Sequence, residues 1–234
     1  MKEKLKAILD KYSINTTIKE LNDFEIFNNE LIEYNKIHNI TNITEEDDVL
    51  YKHYLDSVLP YDLFQNNSKV LDIGCGGGFP SIPLKIINNT LKFTAIDSVN
   101  KKTEFVKSIS NKLNMNDFNV IHTRIEDIAK KKEFREQYDY VISRAVAPLN
   151  IILEYSAPMT RNNGLIVCYK GSKYQEEIDN AKNALKVLNC EIVDIKEYYI
   201  EEIEAYRYII LIKKKDTINI KYPRGQNKPR LQPL

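Results

Sequence analysis

The chain has 234 residues, 43% of them hydrophobic and 29% charged, and its formal net charge is +1. Those values fit one globular domain with short extensions, and they exclude a disordered chain and a uniformly basic nucleic-acid binder. No apolar run approaches the roughly 18–20 residues of a membrane span. The charged N-terminus MKEKLKAILDKYSIN lacks the apolar stretch of a signal peptide. Cys75, Cys168 and Cys190 form no CxxC pair, so no metal site is expected and a reducing, cytoplasmic setting is.

Two helices are predicted first. Ile18, Leu21, Phe24, Phe27, Leu31 and Tyr34 recur at three- and four-residue steps, which puts them on one helical face. Thr44 followed by Asp47 has capping-box spacing and predicts a second helix carrying Val49, Leu50, Tyr54, Leu55 and Val58, ending near Pro60. From residue 69 the runs KVLDIG, LKFTAID, FNVIHT, YDYVIS and GLIVCYK alternate with helical stretches and predict five strands. Strands separated by helices pair in parallel, because a parallel connection needs a crossover. CEIVDIKEYYI and YRYIILIKKK are joined only by EEIEA, a link short enough to force an antiparallel hairpin. The predicted fold class is α/β: a doubly wound, mainly parallel seven-stranded sheet ending in an antiparallel hairpin, with an N-terminal helical extension. This is the architecture of class I methyltransferases. Three segments are expected, a helical extension over 1–65, a Rossmann-like domain over 66–215 and a basic tail over 216–234.

The most informative stretch is Val70-Leu71-Asp72-Ile73-Gly74-Cys75-Gly76-Gly77-Gly78-Phe79-Pro80. It lies at the carboxyl end of the first strand, where parallel sheets bind ligands, and glycines let the backbone turn and approach a ligand closely. A dinucleotide fingerprint would need G-x-G-x-x-G, but counting from Gly74 the third position is Phe79, and from Gly76 it is Ser81. The pattern G-x-G-x-G with Asp72 before it suits S-adenosylmethionine better than NAD, since an acid there can meet the cofactor's ammonium and glycine amides its carboxylate. Gly74, Gly76 and Gly78 are therefore cofactor-binding candidates. Asp97 ends the second strand, where a carboxylate can accept both ribose hydroxyls, although it could simply cap the next helix. Ile125 and Glu126 follow the third strand and should border the adenine.

The basic residues Lys213, Lys214, Lys215, Lys221, Arg224, Lys228 and Arg230 face one acid, Asp216, giving a local charge of +6. Broken by Pro223 and Pro229, this tail is expected to remain solvated and dispensable for folding. Its Lys221, Arg224, Lys228 and Arg230 are candidates for RNA phosphate contacts.

The segments His38-Asn39-Ile40-Thr41, His53-Tyr54-Leu55-Asp56-Ser57, the loop DIGCGGGFPSIPL, Asp97-Ser98 with Lys101-Lys102, and Ser143-Arg144-Ala145-Val146-Ala147 form a distinctive set, completed by Lys170-Gly171 and the ending Tyr222-Pro223-Arg224 through Leu234. In these segments the chain resembles the bacterial glucose-inhibited division protein B family, also called ribosomal RNA small subunit methyltransferase G. The resemblance implies methylation of guanine N7 in small-subunit ribosomal RNA, naked or assembling, with S-adenosylmethionine as cofactor. It also implies that Gly74 and Phe79 bound the methionine end and that Arg144 lies where methyl group and acceptor meet. Arg144 and Lys170 are candidates for positioning rather than for general base catalysis. His53 and Asp56, one helical turn apart, are expected to anchor the helical cap on the loop. A monomer is expected. An NAD-dependent oxidoreductase, a methyltransferase with another acceptor, and a non-catalytic RNA-binding module with this fold are the competing readings.

Overall fold

The computed structural model describes residues 1–234. α1 (Lys2–Lys11) buries Leu5, Ile8 and Leu9, and α2 (Ile18–His38) buries Leu21, Phe24, Phe27 and Leu31. Periodicity predicts α2 but not α1, whose three apolar residues in a charged segment give a weak signal. α2 begins in a capping box: the Thr17 hydroxyl accepts from the Glu20 N–H at 3.2 Å, and the Glu20 carboxylate accepts from the Thr17 N–H at 2.7 Å.

The capping box expected at Thr44 does not form. The helix starts at Glu46 with Glu45 as an N-cap that makes no side-chain bond. Glu46, Asp47 and Asp48 instead place three carboxylates at its positive end. α3 (Glu46–Asp48) widens into a π-helix (Val49–Leu55) and continues as α4 (Asp56–Val58). The wider turn buries six of its seven residues, including His53, and such bulges recur at functional sites.

β1 (Lys69–Ile73), β2 (Lys92–Asp97), β3 (Phe118–His122), β4 (Tyr138–Arg144) and β5 (Thr160–Lys170) pair in parallel. They are connected by α5 (Ser81–Ile87), α6 (Asn100–Lys112), α7 (Ile125–Ile128) and α8 (Leu149–Ser156). After α9 (Tyr174–Asn180) and α10 (Lys182–Val187), β6 (Cys190–Ile200) and β7 (Ala205–Lys214) form the antiparallel hairpin, β7 lying between β5 and β6. The strand order β3-β2-β1-β4-β5-β7-β6 reverses direction between β1 and β4. A crevice therefore opens at the carboxyl ends of those two strands. The α/β fold class is as the sequence predicts.

The helices before the sheet do not form a separate layer. Phe24, Phe27 and Tyr54 share one hydrophobic cluster with Cys75, Phe79, Ile82 and Phe105, and the Phe27 and Phe79 rings lie 5.1 Å apart. The glycine loop is thus clamped between helical cap and sheet. All three cysteines are buried and unpaired. No helix is long and apolar enough to cross a membrane.

The tail departs most from expectation, because it packs instead of remaining solvated. Tyr222 is buried, as is Pro229 in α11 (Lys228–Leu231). Arg135 donates to the carbonyls of Tyr222, Ile218 and Asn219. Arg224 meets Glu154, a fully buried carboxylate on α8, through its own N–H and Nε at 2.8 Å and through Nη2 at 2.7 Å. The local charge of +6 is correspondingly reduced: Lys214 pairs with Glu136, Lys215 with Glu191 and Arg224 with Glu154. Counting charges along the tail could not reveal Glu136 and Glu154, which lie 78 and 70 residues before the cations they hold.

Candidate active site

The loop after β1 is built by close approach. Gly74 N–H and Cys75 N–H both donate to the Ile96 carbonyl, at 2.8 and 3.0 Å, so the loop folds across the end of β2. Gly74 has φ +71°, and a Cβ there would lie 2.7 Å from Cγ2 of Val146. Gly78, at φ +89°, is equally constrained by Ile82. These two glycines are required by backbone sign and by packing together.

Beside the loop is an open cleft of about 520 Å³, lined by Gly74, Asp97, Ile125, Glu126, Val146 and Tyr155 among others. Asp97 Oδ2 accepts from the Gly76 N–H at 3.0 Å and Oδ1 from the Val99 N–H at 2.9 Å. One carboxylate thus ties the loop to the start of α6 while keeping lone pairs towards the cleft. Glu126 accepts from the Tyr155 hydroxyl at 3.2 Å. Asp72 is different. It is fully buried beneath the loop, neither of its oxygens makes a hydrogen bond of good geometry, and burial pushes its carboxyl up to about 7 against the opposing pull of nearby Ser81 and the Arg144 charge. An orphaned carboxylate at this place suits a cationic group brought by a ligand.

Arg144, at the end of β4, is drawn into the helical cap. Its Nη1 donates to Asp56 Oδ2 at 2.7 Å and to the Lys52 carbonyl at 3.1 Å, and its Nη2 lies 3.2 Å from His53 Nδ1. Asp56 Oδ1 is also 3.1 Å from Arg207 Nε, so one buried carboxylate holds two guanidinium groups. His53 stacks on Phe79 of the loop at 4.2 Å. Its other ring nitrogen lies 2.9 Å from Thr41 Oγ1. Burial, then the Arg144 charge, lowers its pKa to about 3, so the ring is neutral at physiological pH. The H-x-x-D-S segment is therefore a bracket between cap, loop and β4.

A second cleft, of about 500 Å³, adjoins the first along Ala145 and Val146. It is rimmed by Arg144, Arg207, Lys170, Tyr169 and Tyr208. Lys170 Nζ donates to the Ala147 carbonyl at 3.0 Å and pairs with Glu177 at 2.6 Å. Tyr208 stacks on Tyr174 with centroids 3.8 Å apart. Ala145, between the clefts, holds a left-handed conformation at φ +56°, a strain that proteins keep mainly at functional sites.

A profile of the family described as rRNA small subunit methyltransferase G matches residues 20–205. The chain belongs to that family. Its curated relatives include proteins named Ribosomal RNA small subunit methyltransferase G from three sources. That of Thermoanaerobacter sp. is 43% identical over 87% of this chain and 86% of its own length. That of Lactobacillus acidophilus is 38% identical over 97% and 96%, and that of Bacillus cytotoxicus 37% over 99% and 98%. Among solved structures, M. jannaschii TYW2 in complex with AdoMet matches with a TM-score of 0.56 at 15% identity, over 74% of this chain and 79% of that one. The cyclase SpnF matches with a TM-score of 0.53 at 9% identity, over 70% and 80%. Those two likenesses concern fold alone, and the cyclase shows that the fold does not fix the reaction.

Within this member of the methyltransferase G family, Gly74, Asp97, Ile125 and Glu126 come together around the first cleft. Asp72 and Phe79 lie behind it, Asp72 beneath the loop and Phe79 inside the cap's hydrophobic cluster. Gly76 approaches it only through its N–H to Asp97. Arg144 and Lys170 face the second cleft. Of the tail candidates, Arg224 is held by Glu154, Lys221 and Lys228 are exposed, and Arg230 lines the first cleft with Asn227. Tyr155, Arg207, Tyr208 and Asn227 have no counterpart among the sequence candidates. An arginine interrupting the apolar strand run YRYIIL was the available signal for Arg207.

Proposed function

We propose that this chain transfers the methyl group of S-adenosylmethionine to N7 of a guanine in small-subunit ribosomal RNA. The observation that carries the reading is the junction of two clefts at Ala145 and Val146, one gathering the strand-end residues Gly74, Asp97, Ile125 and Glu126, the other rimmed by Arg144, Arg207, Lys170 and two tyrosines. When bound, the cofactor supplies an electrophilic methyl group on a sulfonium centre. In this reading Asp97 accepts the ribose hydroxyls, Ile125 and Glu126 border the adenine, Gly74, without a side chain, lets the methionine end lie against the loop, and Asp72 balances its ammonium.

On the acceptor side, Arg144 and Arg207 sit where RNA phosphate would pass, and Tyr208, backed by Tyr174, offers a surface on which an unstacked base can rest. Lys221 and Lys228 are exposed and carry charge that a polyanion can meet. Guanine N7 carries an in-plane lone pair and no proton, so its methylation needs positioning rather than a base. The site's titratable groups suit that task. His53 is neutral and held on both nitrogens, Lys170 is paired with Glu177, and Cys168 is buried with its thiol pushed up to about 11. Buried, unpaired cysteines are compatible with a reducing cytoplasm. Calorimetry with S-adenosylmethionine, its demethylated product and NAD tests the cofactor half directly. Binding of the first two without NAD is expected, and preferential NAD binding would overturn the reading.

A further inference from the structure

The first cleft has a wall supplied by neither the sheet nor the helical cap. Asn227 and Arg230, from the packed tail, line it together with Asp97, Glu126 and Tyr155. The Arg230 cation is close enough to the Tyr155 hydroxyl to hold down a pKa that burial and Glu126 otherwise raise, to about 12 in all. Asn227 and Arg230 are both exposed, so neither is needed to fill a core.

Their position is fixed from behind. Arg224 on Glu154, Arg135 on three tail carbonyls, and buried Tyr222 and Pro229 pin the segment on either side of its tip. At that tip Gln226 and Asn227 are consecutive left-handed residues, with φ of +60° and +57°. Left-handed backbone at two consecutive residues that carry side chains persists only where the surroundings hold it. Anchors, strain and cleft-facing polar groups converge on one short stretch.

We propose that the C-terminal segment is a wall of the cofactor site and that Asn227 and Arg230 contact the adenosine moiety of the bound ligand. The inference rests on the S-adenosylmethionine reading above. An amide offers donor and acceptor together, which matches the paired acceptor and amino group on an adenine edge. A guanidinium, with donors only, suits a ribose hydroxyl or the face of the adenine ring. Neither group is needed at the sulfur.

The test is calorimetry on the full chain and on Asn227→Ala, Arg230→Ala and the double variant, with S-adenosylmethionine, its demethylated product and adenosine as separate ligands. Each single variant should lose about tenfold in affinity, the scale of one hydrogen bond. The factor should be the same for all three ligands, because they share only the adenosine part. Unliganded melting temperatures should stay within a degree or two of the parent. Affinities unchanged within twofold, or a loss seen with S-adenosylmethionine but not with adenosine, would overturn the assignment. If the parent chain binds none of the three, the cofactor reading itself fails, an outcome distinct from a parent that binds and variants that bind equally.

Discussion

Arg224→Ala should lower the stability of the chain by about 3–5 kcal/mol, the cost of leaving a buried charge without its partner. Glu154 is fully buried and accepts three hydrogen bonds from Arg224, of which the alanine variant loses the two made by Nε and Nη2. For a chain of this size that loss corresponds to a fall in melting temperature of roughly 10 °C. A solvated tail, as charge and proline content predict, would give no change. Replacing both partners with leucine separates the explanations, because an apolar pair leaves no orphaned charge. The double variant Glu154→Leu with Arg224→Leu should recover most of the loss, and a double-mutant cycle then isolates the pair. A single variant that melts within a degree of the parent would contradict this account of the tail.

Asp72→Asn should change the pH dependence of stability, with the sign set by burial. The carboxyl has an ordinary value of 3.8 and is pushed up to about 7 in the folded chain. The folded state therefore holds its proton more tightly than the unfolded state does. Stability is intact below pH 4 and falls as pH rises towards 7, at up to about 1.4 kcal/mol per unit. Asparagine cannot lose that proton. Between pH 5 and pH 8 the variant should thus gain about 3 kcal/mol relative to the parent, measured by denaturant unfolding at each pH. The same variant should bind S-adenosylmethionine more weakly by about 1.5–3 kcal/mol if Asp72 balances the ammonium. Parallel stability profiles for parent and variant would show that Asp72 is paired in a way the structure does not contain.

The parts legible in the sequence are those set by local pattern. Alternation of short apolar runs with helical stretches predicts the five parallel strands, and the EEIEA link the hairpin, because connection length decides strand direction. Gly74, Asp97 and Glu126 were legible because strand ends in a parallel sheet converge on one crevice. What was illegible depends on partners far apart in the chain. Arg144 reads as a positioning candidate after β4, but nothing local names its partner Asp56, 88 residues earlier. Phe79 sits in the loop motif yet its ring belongs to the cap's core, set by Phe27 and Tyr54. The Thr44 capping box fails because its pattern carries no information about the π-helix that follows. Tail residues separate in the same way: composition predicts solvation, while burial of Tyr222 and the Arg135 and Glu154 contacts are tertiary.

The central claim is that two adjoining clefts join a methyl donor to a ribosomal guanine. Mass-spectrometric mapping of methylated nucleotides in small-subunit ribosomal RNA, from cells with and without this chain, tests it most directly. The expected result is a single guanine that carries an N7 methyl group only when the chain is present, restored by the parent gene but not by Asp97→Ala. An unchanged methylation map, or a lost methyl group on an exocyclic amine, a ring carbon or a ribose, would contradict it.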